Sequence, residues 1–102
     1  MTDNSYIREL AQQIRAKVDQ SALPDQGLDD LFDSYAVLAL AKGTAVTNED
    51  VHDAWSAWAT KYDSQNDSLV PFDQLPADKQ AEDSRFVQAI HEVSKHIENR
   101  GL

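Results

Sequence analysis

VHDAWSAWATKYDSQNDSLVPFDQLPADKQAEDSRF, residues 51–86, decides how this chain is read. Val51, Ala54, Trp55, Trp58 and Tyr62 recur at the spacing of one helical face. Just before them, Thr47-Asn-Glu-Asp50 has the form of a capping box, with Asp where Glu is commoner. A polar, turn-prone run (DSQNDS, 63–68) follows the helix. Leu69-Val-Pro-Phe72 is predicted to be extended, because Pro71 disfavours helical backbone at Val70. Pro76 suits the first turn of a short helix over 77–81. A last helix over about 83–99 would bury Phe86, Ile90, Val93 and Ile97 and end at Gly101.

Working back from this stretch, Ile7, Leu10, Ala11, Ile14 and Val18 predict an amphipathic first helix over about 6–20, with Ser5 or Asn4 as its cap. ALPDQG (22–27) is a turn by composition. The second helix is expected from Leu28 to Gly43, with the glycine as a left-handed cap. Its segment YAVLALA (35–41) is apolar nearly all round, which predicts the central and most buried helix. No strand-period alternation occurs. The fold class is therefore all-α: a compact bundle of about four to five helices, with the extended Leu-Val-Pro-Phe strip between the third and fourth.

With 102 residues, 41% of them hydrophobic and eight aromatic, the chain is expected to form one domain with a small core. It has no cysteine, so disulfides and thiolate metal sites are excluded. The longest apolar run is too short to span a bilayer, and MTDNSYIREL lacks the basic-then-apolar pattern of a secretory signal. A cytoplasmic protein with no membrane partner is expected. Net charge is −9, from 18 acidic and 9 basic residues, and the basic ones are scattered. Polymeric nucleic acid is a poor partner for such a surface, since its affinity comes from neutralised phosphates. One or two placed cations can still hold a small anion.

The order of these motifs resembles the RyR domain, the small repeat named after ryanodine receptors and also found in bacterial and phage proteins. His52 and Trp55 match its H-x-x-W helix, and Leu69, Val70, Pro71 and Phe72 match its proline strip. Leu75-Pro76 matches the turn, Lys79 the lysine after it, and Asp83 with Arg85 loosely the Asp-Arg pair. On this resemblance, 47–102 is an RyR-like core and 1–46 a helical addition. The short acidic chain also resembles open reading frames of actinobacteria and their phages. Where the family carries a Gly-Trp-x-Tyr-Gly segment, this chain has only residues 59–68, without glycine, which implies a smaller or differently built pocket. Family members of bacterial and phage type look like nucleotide-sensing or ligand-binding modules.

The residues themselves support two readings. Trp55 and Trp58, three apart, either stack a base, fill a protein interface or anchor the core against the second helix, and Phe72 is expected across their face. His52, flanked by Glu49, Asp50 and Asp53, is either a pH-sensitive group or a structural hydrogen bond that fixes the proline strip, the commoner fate. Lys61, Lys79 and Arg85 are the cations available to an anionic ligand, or else they pair with Asp78, Glu82 or Asp83. His91 and His96 lie about 140° apart around a helix, cannot share a metal, and are expected in solvent. The three glycines are isolated, so no phosphate loop exists, and no nucleophile elbow surrounds a serine.

The expectation is a non-enzymatic binding module without cofactor or metal. A nucleotide or nucleotide-derived signal would meet His52, Trp55, Trp58, Lys61, Phe72, Lys79 and Arg85. The alternative is a helical protein–protein interaction subunit, a homodimer or partner-binding surface built on the apolar second helix and aromatic third. Sizing with light scattering separates the two.

Overall fold

The computed structural model describes residues 5–24 and 26–99 and contains five α-helices. They are α1 (Ser5–Arg15), α2 (Leu28–Lys42), α3 (Asn48–Tyr62), the short α4 (Ala77–Glu82) and α5 (Ser84–Asn99). Single 3₁₀ turns lie at Gln20–Ala22, Gly43–Ala45 and Phe72–Gln74. No strand occurs among the described residues, so the fold is the expected all-α bundle. Among them, too, no helix is long and apolar enough to cross a membrane. The proposed caps at Asn4 and Gly101 and the side chain of Ile97 lie outside the described residues.

The helix α1 stops five residues earlier than its apolar period suggests. Gln20 is the reason: its amide donates to the carbonyls of Arg15 (2.7 Å) and Val18 (2.8 Å), satisfying acceptors that a helix end leaves bare. Asp19 then caps the 3₁₀ turn by accepting from the Ser21 N–H at 3.0 Å. Ile14 and Val18 are buried all the same. Arg8 fastens α1 to α2 with a two-pronged contact to Asp33, at 3.0 and 2.9 Å.

Three helices, α1, α3 and α5, pack on α2, which is therefore central as expected. It buries Leu31, Phe32, Tyr35, Ala36 and Ala39. It is not buried all round, however. Val37 is 53% exposed and Leu40 49%, because helices cover α2 on one side only. Gly43 closes the helix with positive φ (56°) and ψ of −126°, so it is outside the left-handed helical region the sequence suggested. Phe32, Tyr35 and Phe86 form the aromatic centre of the core, with Phe32 edge-on to Tyr35 at 5.4 Å and Tyr35 against Phe86 at 5.3 Å. Full burial of such a side chain contributes roughly 1.5–3 kcal/mol.

The start of α3 follows its sequence. Thr47 Oγ1 accepts from the Asp50 N–H, and Asp50 Oδ2 accepts from the Thr47 N–H, completing the capping box. Lys42 reaches across to Asp50 at 2.9 Å. After Tyr62 the chain turns through 63–68, the Val70 N–H donates back to the Ser68 carbonyl at 2.8 Å, and Pro71 (φ −55°, ψ 146°) is extended, so the expected strip is extended only in part. Phe72 opens a 3₁₀ turn instead of continuing the strip. Its carbonyl and that of Leu75 both accept from the Gln80 side-chain amide, at 3.0 and 3.1 Å, which curls the segment onto α4. Asn48, in turn, donates to the Gln80 carbonyl and to Ser84 Oγ, both at 3.0 Å. These bonds seat the corner between α4 and α5 beside the start of α3.

Candidate functional site

One turn into α3, His52 is buried, with only 3% of the residue exposed. Its Nε2 lies 2.7 Å from the Val70 carbonyl, so Nε2 carries the proton and donates. This is the structural bond to the proline strip that the sequence favoured. The imidazole also stacks on Trp55 (ring centres 5.6 Å apart) and meets Phe72 at 6.0 Å.

Around this histidine lies a cleft of about 270 Å³. Its lining includes His52 and Trp55 from α3, Leu31, Tyr35 and Phe86 from the core, and the polar Asn66 and Ser68. The corner between α4 and α5 supplies Lys79, Glu82, Asp83 and Arg85. Of the seven residues expected at the site, the fold brings His52, Trp55, Lys79 and Arg85 together here.

Trp58, Lys61 and Phe72 are not part of the cleft lining. Trp58 is a core residue whose indole N–H donates to the Gly27 carbonyl at 3.0 Å, and it stacks on Tyr62. Lys61 is a neighbour of Asp30, which also accepts from the Tyr62 hydroxyl. Phe72 packs on the His52 ring and not across both tryptophans. One turn of α3 separates Trp55 from Trp58, and that is enough to put one at the cleft and the other in the core. His91 is also misplaced by the sequence reading. It is half-buried and bonds the Val46 carbonyl at 2.8 Å.

Two further cleft residues, Tyr35 and Asp83, were not among the seven expected at the site. Tyr35 is 1% exposed, and burial raises its phenol above the ordinary range, with Asp83 adding to the effect. The signal was available, since Tyr35 is the one polar-tipped residue in the run YAVLALA. Asp83 joins α4 to α5, and its Oδ2 is buried without a hydrogen-bond partner among the described residues. Burial pushes the Asp83 carboxyl up to about 6; the His52 imidazole pulls it down, Glu82 pushes it up, and Arg85 pulls it down. As for the cations, Lys79 pairs loosely with Glu82 at 3.5 Å. The Arg85 guanidinium lies over the Phe86 ring at 4.9 Å.

A raised carboxyl in the fold favours the protonated form. Its contribution to stability is complete below the unfolded value of about 3.8 and is lost as pH rises through about 6. Full linkage would approach 3 kcal/mol, and solvent screening at this half-buried site reduces it to about 1–2 kcal/mol. Asp83→Asn is therefore expected to be the more stable protein by that amount at pH 7.5 and equal to the parent near pH 4. Asp19, Asp30 and Asp50 shift downward, so both proteins lose stability in acid alike, and the difference isolates Asp83. Thermal unfolding of both from pH 4 to 7.5 measures it; a gap that ignores pH would rule this account out.

A larger depression, about 720 Å³, lies between α1 and α5. Val93 is its one buried lining residue, and no Trp, Tyr or Phe borders it. The smaller cleft concentrates the chemistry: aromatic rings, cations and a half-buried carboxylate.

Fold and site together define a small all-helical domain with an aromatic, charge-lined cleft. The chain belongs to the family described as Domain of unknown function (DUF7701), whose model matches residues 5–95. No curated protein and no solved structure matches it.

Proposed function

We propose that this protein is a small non-enzymatic binding module that recognises or sequesters a nucleotide or nucleotide-derived signal. The observation that carries the reading is the meeting of the His52–Trp55 stacked pair with Lys79 and Arg85 around one cleft. Aromatic faces suit a planar base, and cations at the rim suit phosphate. At about 270 Å³ the cleft is just below the usual range for ligand pockets, so it suits a base with its phosphates held outside. The likeness of residues 52–85 to the RyR motif is a second support, and with it the actinobacterial or phage setting. Catalysis is not part of the reading, since the His52 Nε2–H is committed to Val70 and the Tyr35 phenol is held protonated.

Thermal unfolding and tryptophan fluorescence against mononucleotides, cyclic nucleotides and ADP-ribose derivatives test it. A ligand at a hundred times its Kd is expected to add about 2.7 kcal/mol, on the order of 10 °C or more for a domain this size. Trp55→Ala and Arg85→Ala should fold and lose the shift. No shift with any of these compounds would overturn the reading.

A second reading, self-association or a protein partner, is favoured by one observation: Val37 and Leu40 expose apolar surface on α2, with Tyr6 also exposed on α1. The sizing measurement separates it from a monomeric ligand module.

A further inference from the structure

On the core side of the cleft, one polar atom has no partner in the fold. Tyr35 lines the cleft from α2 and is 1% exposed. Burial holds its phenol protonated, with Asp83 adding to the effect and Arg85 opposing it, and no described residue hydrogen-bonds the hydroxyl. The enclosed side-chain polar atoms left without a partner among the described residues are Asp83 Oδ2 and Ser94 Oγ; the Tyr35 oxygen is not one of them. Asp83 Oδ2 is therefore shut off from a ligand, whereas the Tyr35 hydroxyl keeps a sliver of open surface in the space the residue lines. Its direction is fixed, because Phe32 and Phe86 hold the ring at 5.4 and 5.3 Å. A hydroxyl so nearly desolvated is costly to leave bare, and a polar group entering the cleft would relieve it.

The charge around the cleft is balanced. Its lining sets Lys79 and Arg85 against Glu82 and Asp83, and Lys79 already lies 3.5 Å from Glu82. Arg85 lies over the Phe86 ring and forms no salt bridge among the described residues. One cation is thus left for an anionic group, on a chain whose net charge is −9.

We infer that the cleft takes a nucleotide base-first and with a single phosphate: the Tyr35 hydroxyl bonds the polar edge of the base, and Arg85 holds the phosphate. This rests on the nucleotide reading above and narrows it to monophosphates and cyclic phosphodiesters. Every base offers a phenol O–H an in-plane acceptor, a carbonyl oxygen or a ring nitrogen. The orientation follows from burial. Leu31, Leu75 and Phe86, beside Tyr35, are buried and apolar, and a phosphate placed among them would lose its hydration without a cation, while Arg85 is exposed. Second and third phosphates would find Glu82 and Asp83 but no further unpaired cation in the lining.

Isothermal titration of the full chain at pH 7.5, without divalent cations, compares AMP, GMP, CMP and UMP with their 3′,5′-cyclic forms and their triphosphates. At least one monophosphate or cyclic form is expected to bind, and the matching triphosphate about threefold more weakly or worse. Tyr35→Phe should bind the tightest of these about fivefold more weakly, the scale of one neutral hydrogen bond. Its unfolding midpoint should stay within about 3 °C of the parent's, since the hydroxyl has no partner to lose. A larger drop would place that partner inside the fold, and an unchanged affinity would place the ligand away from Tyr35; either result overturns the inference. So does a triphosphate that binds as tightly as its monophosphate. In each of these cases the nucleotide reading stands. If none of the compounds binds, the inference falls too, and the ADP-ribose derivatives decide the reading beneath it.

Discussion

Gly27→Ala is expected to lower stability by about 3 kcal/mol. Gly27 precedes α2 with φ 67° and ψ 21°, backbone that costs an L-residue roughly 1–2 kcal/mol. An added Cβ would also stand 2.6 Å from Trp58 Nε1 and 2.7 Å from the Tyr62 ring. Neither side chain can retreat cheaply. Trp58 donates to the Gly27 carbonyl itself, and Tyr62 is stacked on Trp58 and bonded to Asp30. Overpacking at such a point costs a further 1–3 kcal/mol or so. Thermal unfolding should show a drop of about 12–24 °C, at roughly 4–8 °C per kcal/mol. A loss smaller than about 1 kcal/mol would mean that the turn can shift away from α3, and that the Trp58 bond does not fix it.

Gly27 also illustrates what the sequence carries and what it withholds. ALPDQG reads as a turn on composition alone, yet nothing local says that Trp58, 31 residues later, needs that turn's carbonyl. The helices were legible because each stripe of apolar residues repeats at its own period. So was the capping box of Thr47 and Asp50, whose partners are three residues apart. The bond from His52 to the proline strip could be anticipated, since Pro71 forces extension and leaves carbonyls to satisfy. Bonds from a side chain to the backbone of an earlier turn were not legible. Gln20 ends α1 through its side chain, and Gln80 curls Phe72 into a 3₁₀ turn. Period alone would have kept both segments in their simpler form. For the site, composition could nominate aromatic and cationic residues but could not sort them. The separation of Trp55 from Trp58, and the arrival of Tyr35 and Asp83 beside His52, depend on how α2 and the corner of α4 and α5 pack on α3.

His52→Ala is expected to cost about 3 kcal/mol and to loosen the cleft with it. Truncation empties a buried ring site between Trp55 and Phe72 and strands the Val70 carbonyl. Two milder variants divide that sum. His52→Phe keeps an aromatic ring against Trp55 but donates nothing, so its loss reports the hydrogen bond, about 1–1.5 kcal/mol. His52→Gln can still donate an N–H toward Val70 while giving up the stacking, so its loss reports the ring contact. Both should lie between the parent and His52→Ala in urea unfolding. Among the described residues, this imidazole is the side chain of α3 that hydrogen-bonds the strip 69–71, while Gln80 holds the far end at Phe72 and Leu75. Amide exchange at Leu69 and Val70 should therefore speed up in His52→Ala and His52→Phe, and stay near the parent rate in His52→Gln. If exchange there is unchanged in His52→Ala, the strip is held by packing alone, and His52 serves the cleft only as a stacking partner for Trp55.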